Sequence, residues 1–389
     1  MNILLFVSDY PPSGNTSAIH YFAREWVKAG NRVCVIYGCH RLAFPLYLFA
    51  GQIDRRTSAG SAEQYELDGV NVIKIPLTRM IPKSRLICSL SKHRAKIQVK
   101  QILNKWGKFD VIISHFCSNH LFLVEEAKKA NICPVVSVFH TCDTVNDKLA
   151  KRILDESSVI GARSAKIEAY LKNTIGYGDR ILRINSGVPQ EYIINQKTIR
   201  SADELKFIYV GKLIKRKNVA EMLEGFAMLP SQVKYHLDII GDGLEKEALV
   251  KKCNELNLNE KVSFLGTMTR DAVAEYMSEA DCFVMISSGE TFGLVYLEAM
   301  AAGCIVIGSK GEGIDGIIVD GDNGFLVSPG NTLELKQKLI YLSSMSHEQR
   351  SVIMKKSHAT VLNMTDTEVA KRYLDEVKEG IHYIPSDNT

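Results

Sequence analysis

Two carboxylates eight residues apart, Glu290 and Glu298, mark the part of this chain best suited to chemistry on a polyhydroxylated ligand. They lie in CFVMISSGETFGLVYLEAMAAGC, from Cys282 to Cys304. The apolar run Cys282–Ile286 reads as a buried parallel strand. Ser287–Thr291 reads as a polar turn, and FGLVYLEAMAA as a helix closed by Gly303. Glu290 then falls in the turn and Glu298 about one and a half turns into the helix. Both can face the crevice at the carboxyl end of the strand, where open α/β sheets bind ligands. The leading amides of the helix, from Phe292, Gly293, Leu294 and Val295, suit an anion such as a phosphate. Taken alone, the pair also fits a first-turn glutamate that favours the helix dipole and a solvated glutamate on the helix face.

A second cluster is cationic. Gly211-Lys-Leu-Ile-Lys-Arg-Lys217 follows the apolar run Lys206–Val210 directly, which puts Lys212 and Lys217 at a strand's carboxyl end. Cations there could neutralise a phosphate, although a KRK run is equally the mark of a solvated basic loop. Pro11-Pro-Ser-Gly14-Asn15 follows the first strand, and a glycine in such a loop lets backbone approach a phosphate closely. His140 closes the run PVVSVFH, while His115 and His120 follow the preceding strand. Histidines at strand ends are commonly satisfied structural residues, and His115 and His120 receive no role. Asp320-Gly-Asp322 spells a metal-binding D-x-D, but DGDNGF reads better as a turn, and no metal site is expected.

These residues need sheets to carry them. Ile3–Val7, Val33–Tyr37, Val72–Ile75, Asp110–Ile113 and Pro134–Phe139 read as strands of a first half, with a helix over His20–Ala29. Lys206–Val210, Tyr235–Ile240, Val262–Leu265, Phe283–Ile286, Ile305–Ile307 and Phe325–Val327 read as strands of a second. Short strands alternating with helices predict doubly wound parallel sheets. The 389 residues suit two domains better than one core. Two Rossmann-like domains facing a central cleft, residues 1–188 and 189–364, are the simplest α/β arrangement. Apolar content of 46% and charged content of 24% are those of an ordinary globular chain, which argues against a disordered or fibrous one. No apolar run reaches the roughly 18–20 residues of a membrane helix. MNILLFVSDYPPSG has no basic segment before its apolar run, so no leader peptide and a cytoplasmic protein are expected. The nine cysteines form no C-x-x-C pair and read as core thiols of a reducing compartment.

Glu290-x7-Glu298, set in G-E-T-F-G-L-V-x-L-E-A-M-A-A-G, closely resembles the signature of the family-4 retaining glycosyltransferases, glycosyl transferases group 1, of GT-B architecture. The resemblance runs over nearly the whole chain and is strongest from Phe207 to Val327. It implies that Glu290 contacts donor-sugar hydroxyls, that Glu298 binds the ribose, and that the helix-start amides hold the distal phosphate. It implies that Lys212 and Lys217 neutralise the leaving diphosphate. Lys212 stands where the family more often has Arg, which keeps the charge and loses the planar fork. The segment Val262–Gly266, with Leu265, resembles the one whose backbone reads the base. Gly14 matches one of two family glycines, with Asn15 in place of the other, and His140 matches a histidine near the reacting carbon of the sugar. A last helix, about 365–380, would cross back onto the first domain. The donor would be a nucleotide-diphosphate sugar, with no metal or other cofactor. The setting implied is bacterial surface-polysaccharide assembly on a saccharide or lipid-linked acceptor.

From Thr78 to Phe109 the chain carries nine Lys or Arg and no acid, against a net charge of only +4 for the whole. Two readings stand side by side: a solvated helix face, or a surface over 79–108 that docks on anionic lipid or a lipid-pyrophosphate acceptor. No nucleic-acid-binding fold is recognisable, so nucleic acid is not an expected partner. A nucleotide-sugar epimerase of the same architecture and a non-catalytic nucleotide-sugar binder are the alternatives. An NAD enzyme is disfavoured, because neither strand one nor Gly241-Asp-Gly243 continues into the full glycine fingerprint.

Overall fold

The apolar runs fold as parallel strands, and the alternation in sequence becomes two sheets. The computed structural model describes residues 1–11, 17–42, 62–79, 87–116, 120–141, 147–193 and 204–382. Met1–Arg163, Ile167–Ile184 and the chain from Val369 onward form one unit, and Ser164–Lys166 with Asn185–Glu368 form the other. The main passage between units thus lies a few residues ahead of the boundary read at residue 188.

The first unit is built on β1 (Asn2–Val7), β2 (Arg32–Leu42), β3 (Glu63–Leu67), β4 (Val70–Arg79), β5 (Val111–His115), β6 (Val135–Phe139), β7 (Val159–Ala162) and β8 (Ile181–Arg183). Their order is β3-β4-β2-β1-β5-β6-β7-β8. All neighbours run parallel except β3 and β4, which form a hairpin. Asp68 and Gly69 turn that hairpin with φ of +49° and +76°, as a primed two-residue turn requires. The strands β1, β5 and β6 are buried along almost their whole length, the reason they read as unbroken apolar runs.

The second unit carries β9 (Leu205–Val210), β10 (Tyr235–Ile240), β11 (Val262–Gly266), β12 (Cys282–Val284), β13 (Ile305–Ser309) and β14 (Phe325–Val327). All run parallel in the order β11-β10-β9-β12-β13-β14. The winding reverses between β9 and β12, and such a reversal opens a crevice beyond the strands' carboxyl ends. The cationic loop follows β9 and the Glu290 turn follows β12, so the sequence of this sheet sets both at its reversal.

The final helix, Asp366–His382, begins in the second unit and lies with the first from Val369 on. There Val369, Ala370, Tyr373, Leu374 and Val377 are buried, and Trp26 Nε1 donates to the Ala370 carbonyl at 2.8 Å. At its start, Asp366 N donates to Val188 O at 3.0 Å and Val188 N to Met364 O at 2.9 Å. A side chain at Gly187 would stand 2.6 Å from Asp366 Cα, so only glycine permits this approach.

Candidate active site

Tyr209 and Val210 end β9, and the chain then turns through Gly211–Asn218. A second loop, after β10, lies flush against it. Leu213 N donates to Asp242 O at 2.9 Å, and a Cβ at Gly241 would fall 1.9 Å from the Gly211 carbonyl oxygen. Gly241 and Gly243 are therefore close-approach glycines that seat the cationic loop. Lys212 is exposed and, among the described residues, has no ion-pair partner, and its carbonyl accepts from Tyr209 Oη at 3.1 Å. Lys215–Lys217 form one 3-10 turn ended by Asn218 in the left-handed region, φ +52°. Asn218 Nδ2 donates to Ile286 O at 2.8 Å and to Ser288 Oγ at 2.9 Å. That amide ties the lysine turn to the turn after β12.

The consequence is a direct meeting of the two clusters. Buried Lys217 donates from Nζ to Glu290 Oε2, and Arg216 Nη1 stands 3.7 Å from the same oxygen. Glu290 is further fixed through its backbone: its amide donates to Glu312 Oε2 at 2.8 Å, and its carbonyl accepts from Gly313 N at 3.2 Å. The carboxylate thus takes one of the three donors of the Lys217 ammonium.

The helix after this turn is Leu294–Ala301, with Gly293 before it at φ +80°. It starts two residues later than the sequence reading, because Phe292 is buried in the core and Gly293 makes the left-handed turn. Leu294 and Val295 open the helix as expected. Glu298, on the same helix, lines a cavity of about 260 Å³ with Glu191, Tyr192, Val210, Met268, Arg270, Val273, Ala274, Met277 and Ala302. Burial raises the Glu298 carboxyl above its ordinary value, and the nearby Arg270 charge only partly offsets that. Leu265 is half-buried in β11, one residue before Gly266, whose carbonyl accepts from Gly241 N at 2.7 Å. Asp320 and Asp322 lie in the turn before β14, paired to Lys338 and Lys356. Among the described residues, no group of three or more His, Cys, Asp or Glu could hold a metal ion.

Gly14 lies outside the described residues. His140 belongs to the first unit and is buried beside His115, with 2.8 Å between His140 Nε2 and His115 Nδ1. The sequence reading assigned Lys217, Glu290 and Glu298 but passed over Arg216, Glu312 and Arg270. Arg216 was visible inside the KRK run. Glu312 and Arg270 reach the site by long-range folding and carry no spacing signal.

Two parallel-sheet α/β units, each with its own winding reversal and one with cations and carboxylates gathered there, define a protein of GT-B architecture. The chain belongs to the group 1, family-4 glycosyltransferases. The glycosyl transferases group 1 model matches residues 191–359 and the glycosyltransferase family 4 model residues 12–192, so together they span most of the sequence. A lipopolysaccharide core biosynthesis glycosyltransferase of Rhizobium meliloti (strain 1021) is 28% identical over 277 residues, 70% of this chain and 74% of that protein. N-acetyl-alpha-D-glucosaminyl L-malate synthase of Bacillus anthracis is 34% identical over 142 residues, 36% of this chain and 37% of its own length. A glycosyltransferase structure from Rickettsia africae ESF-5 superposes with a TM-score of 0.76 at 15% identity, covering 100% of this chain and 99% of the other. An Anabaena protein solved with UDP and glucose gives a TM-score of 0.69 at 19% identity, covering 97% of this chain and 100% of the other. These structural likenesses show the fold.

Proposed function

We propose that the protein transfers a glycosyl group from a nucleotide-diphosphate sugar to a saccharide or lipid-linked acceptor, with retention, in bacterial surface-polysaccharide assembly. The observation that carries this reading is the meeting of Lys217 with Glu290 at the reversal of the second sheet, with Glu298 on the next helix. Lys212, Lys217 and the amides from Phe292 to Val295 would stabilise charge on the departing diphosphate, in place of a metal ion. Donor binding would draw Lys217 from Glu290 toward phosphate and free Glu290 to orient sugar hydroxyls. Glu298 would accept from the ribose within its cavity, and backbone at Leu265 would read the base. The family resemblance assigns His140 and Gly14 to the sugar end of the reaction, and the acceptor to the N-terminal half of the chain. Among the described residues no side chain stands out as a double-displacement nucleophile, which favours departure and attack on one face.

Relatives support the donor and acceptor classes. The Anabaena structure holds UDP and glucose, and the Rhizobium relative is named for lipopolysaccharide core biosynthesis. A partial match of 31% identity over 141 residues is to the alpha-monoglucosyldiacylglycerol synthase of Acholeplasma laidlawii. We further propose a cytoplasmic enzyme that works at the inner face of the membrane. Among the described residues no helix is long and apolar enough to cross one. A thermal-shift screen against UDP-, GDP- and dTDP-sugars tests the reading. A cognate donor at one hundred times its dissociation constant should stabilise the fold by about 2.7 kcal/mol. Stabilisation by none of them, with equal indifference to the free nucleoside diphosphates, would overturn it.

A further inference from the structure

The turn that carries Glu290 has a glycine in the left-handed region on each side of it, Gly289 at φ +66° and Gly293 at φ +80°. Glycines constrain the backbone between them little, so the aim of Glu290 has to be set from outside the turn. The start of the turn is tied to the lysine loop. Ser288 N donates to Arg216 O at 2.7 Å, and Arg216 Nη1 donates to Gly289 O at 3.2 Å. The end of the turn closes on the next helix, where Tyr296 N donates to Gly293 O at 2.9 Å. Between these ties, the loop after β13 grips Glu290 itself. The Glu290 amide donates to Glu312 Oε2 at 2.8 Å, and the Glu290 carbonyl accepts from Gly313 N at 3.2 Å.

That loop is well supported. Glu312 is 6% exposed, and its carbonyl accepts from Asp315 N at 3.0 Å. Asp315 Oδ2 accepts in turn from Gly311 N at 2.5 Å. A Cβ at Gly313 would fall 2.4 Å from Phe292 Cα, so a glycine is needed for the loop to lie flush against the Glu290 turn. Glu312 Oε1 pairs with Lys166 Nζ at 2.8 Å, and Lys166 groups with the second unit. Both carboxylate oxygens therefore have partners. The bond from the Glu290 amide is charge-assisted, and such bonds are about twice as strong as neutral ones.

We propose that Glu312 is a positioning residue for glycosyl transfer: through the Glu290 amide it keeps the Glu290 carboxylate aimed at the sugar when Lys217 turns away to phosphate. The proposal rests on Glu290 being the residue that orients the sugar. Lys217, Arg216 and the Ser287 hydroxyl, 3.5 Å from Oε2, reach only the carboxylate of Glu290. The grip of Glu312 and Gly313 is on its backbone, so it persists when those side-chain partners change.

Amide hydrogen exchange in the full chain, followed by NMR without ligand, reads the grip directly. The Glu290 amide should exchange slowly in the wild type and about 10-fold faster or more in Glu312→Ala. Glu312→Gln keeps an acceptor oxygen without the charge and should fall between them. Release of nucleoside diphosphate from UDP-glucose, GDP-mannose and dTDP-glucose, the probe donors, reads the consequence. With the donor cleaved fastest, Glu312→Ala should lower kcat about 10- to 100-fold and Glu312→Gln about 3-fold, with KM within about two-fold. Glu312→Gln has nearly the native shape and carries the test if the alanine variant does not fold. In a Glu290→Ala background, Glu312→Ala should cost no further kcat, whereas a merely structural carboxylate would cost the same in either background. A fast-exchanging Glu290 amide in the wild type, or equal losses in both backgrounds, would overturn the proposal. If Glu290→Ala is crippled while Glu312→Ala turns over normally, the grip has no catalytic effect and the reading of Glu290 stands. If Glu290→Ala turns over normally, or the wild type cleaves none of the three donors, the reading of the site falls and the proposal falls with it.

Discussion

At the scale of residues, the site is organised by the ion pair of Lys217 with Glu290. Lys217 is nearly buried and already bound to Glu290, so its charge has little solvent to compete with. Lys217→Ala should lower turnover by about 100-fold or more, as when a donor aimed at developing charge is removed. Lys212→Arg should be tolerated, because Lys212 is exposed and a fork adds phosphate contacts there. Steady-state rates for the two variants check both outcomes, and near-normal turnover of Lys217→Ala would put the phosphate elsewhere. Glu298 offers a separate test, because burial raises its folded-state pKa. Above the unfolded value near 4.5, the folded chain binds more protons at this site than the unfolded one, so stability falls as pH rises through the folded pKa. Glu298→Gln should therefore raise Tm at pH 7, with the gain disappearing below about pH 4. The same variant should bind the cognate nucleoside diphosphate more weakly by about 10- to 150-fold, the worth of roughly 1.5–3 kcal/mol of charged hydrogen bonding. Calorimetry and melting curves on one preparation separate the two effects. An unchanged affinity would leave Glu298 a buried cost without a ligand. Glu290 and Lys217 were legible in sequence because each follows a strand end, and Glu298 because it lies on the helix after the Glu290 turn. Glu312 and Arg270 were not, since only folding across 22 or more residues, as between Glu312 and Glu290, brings such groups in.

At the scale of elements, strands buried on both faces were the legible ones. Tyr235–Ile240 and Phe325–Val327 have the limits read from sequence, and β1, β9 and β13 differ by one or two residues at an end. The strand β3 was missed because EQYEL is an exposed edge strand with polar outward positions, although Asp68-Gly69 signalled its hairpin. The strands β7 and β8 were missed because four and three residues leave too short a run to read. Packing between loops was likewise invisible, and it gives a third prediction. Gly241 has φ +141° and no room for a Cβ beside the Gly211 carbonyl. Gly241→Ala should push the cationic loop off its seat, destabilising the fold by about 1–3 kcal/mol. Turnover should fall with it at temperatures where the variant is still folded. A variant with wild-type melting would show that the two loops can part freely.

At the scale of the whole molecule, charge is unevenly placed, and folding decides how much of it is available. The helix Ser89–Trp106 packs Ala95, Val99 and Leu103 inward. Lys96 and Lys100 both pair with Glu126, at 3.2 and 2.9 Å, and Lys92 lies over the Phe122 ring. Half of the lysines that the sequence offers to a membrane are thus already engaged. Arg94, Lys105 and Lys108 are exposed and have no acidic partner among the described residues, and residues 80–86 lie outside these. Leu90 and Ile97, 57% and 44% exposed, share the outward face with Arg94 by their spacing. Three free cations near an anionic surface contribute about 3 kcal/mol, fading within a Debye length. That is enough for reversible docking, with two apolar side chains to add to it. The protein should therefore sediment with vesicles containing anionic lipid and leave them as salt rises. Arg94→Gln with Lys105→Gln and Lys108→Gln should abolish the sedimentation and leave donor binding intact, because Lys217, Glu290 and Glu298 lie in the other unit. Lys96→Gln with Lys100→Gln should reduce stability, by stranding buried Glu126, and change sedimentation little. If the pair of lysines matters more than the three outward cations, the docking face is a different one. If the wild type ignores anionic vesicles at low salt, the stretch is a solvated helix face and the acceptor is a soluble molecule.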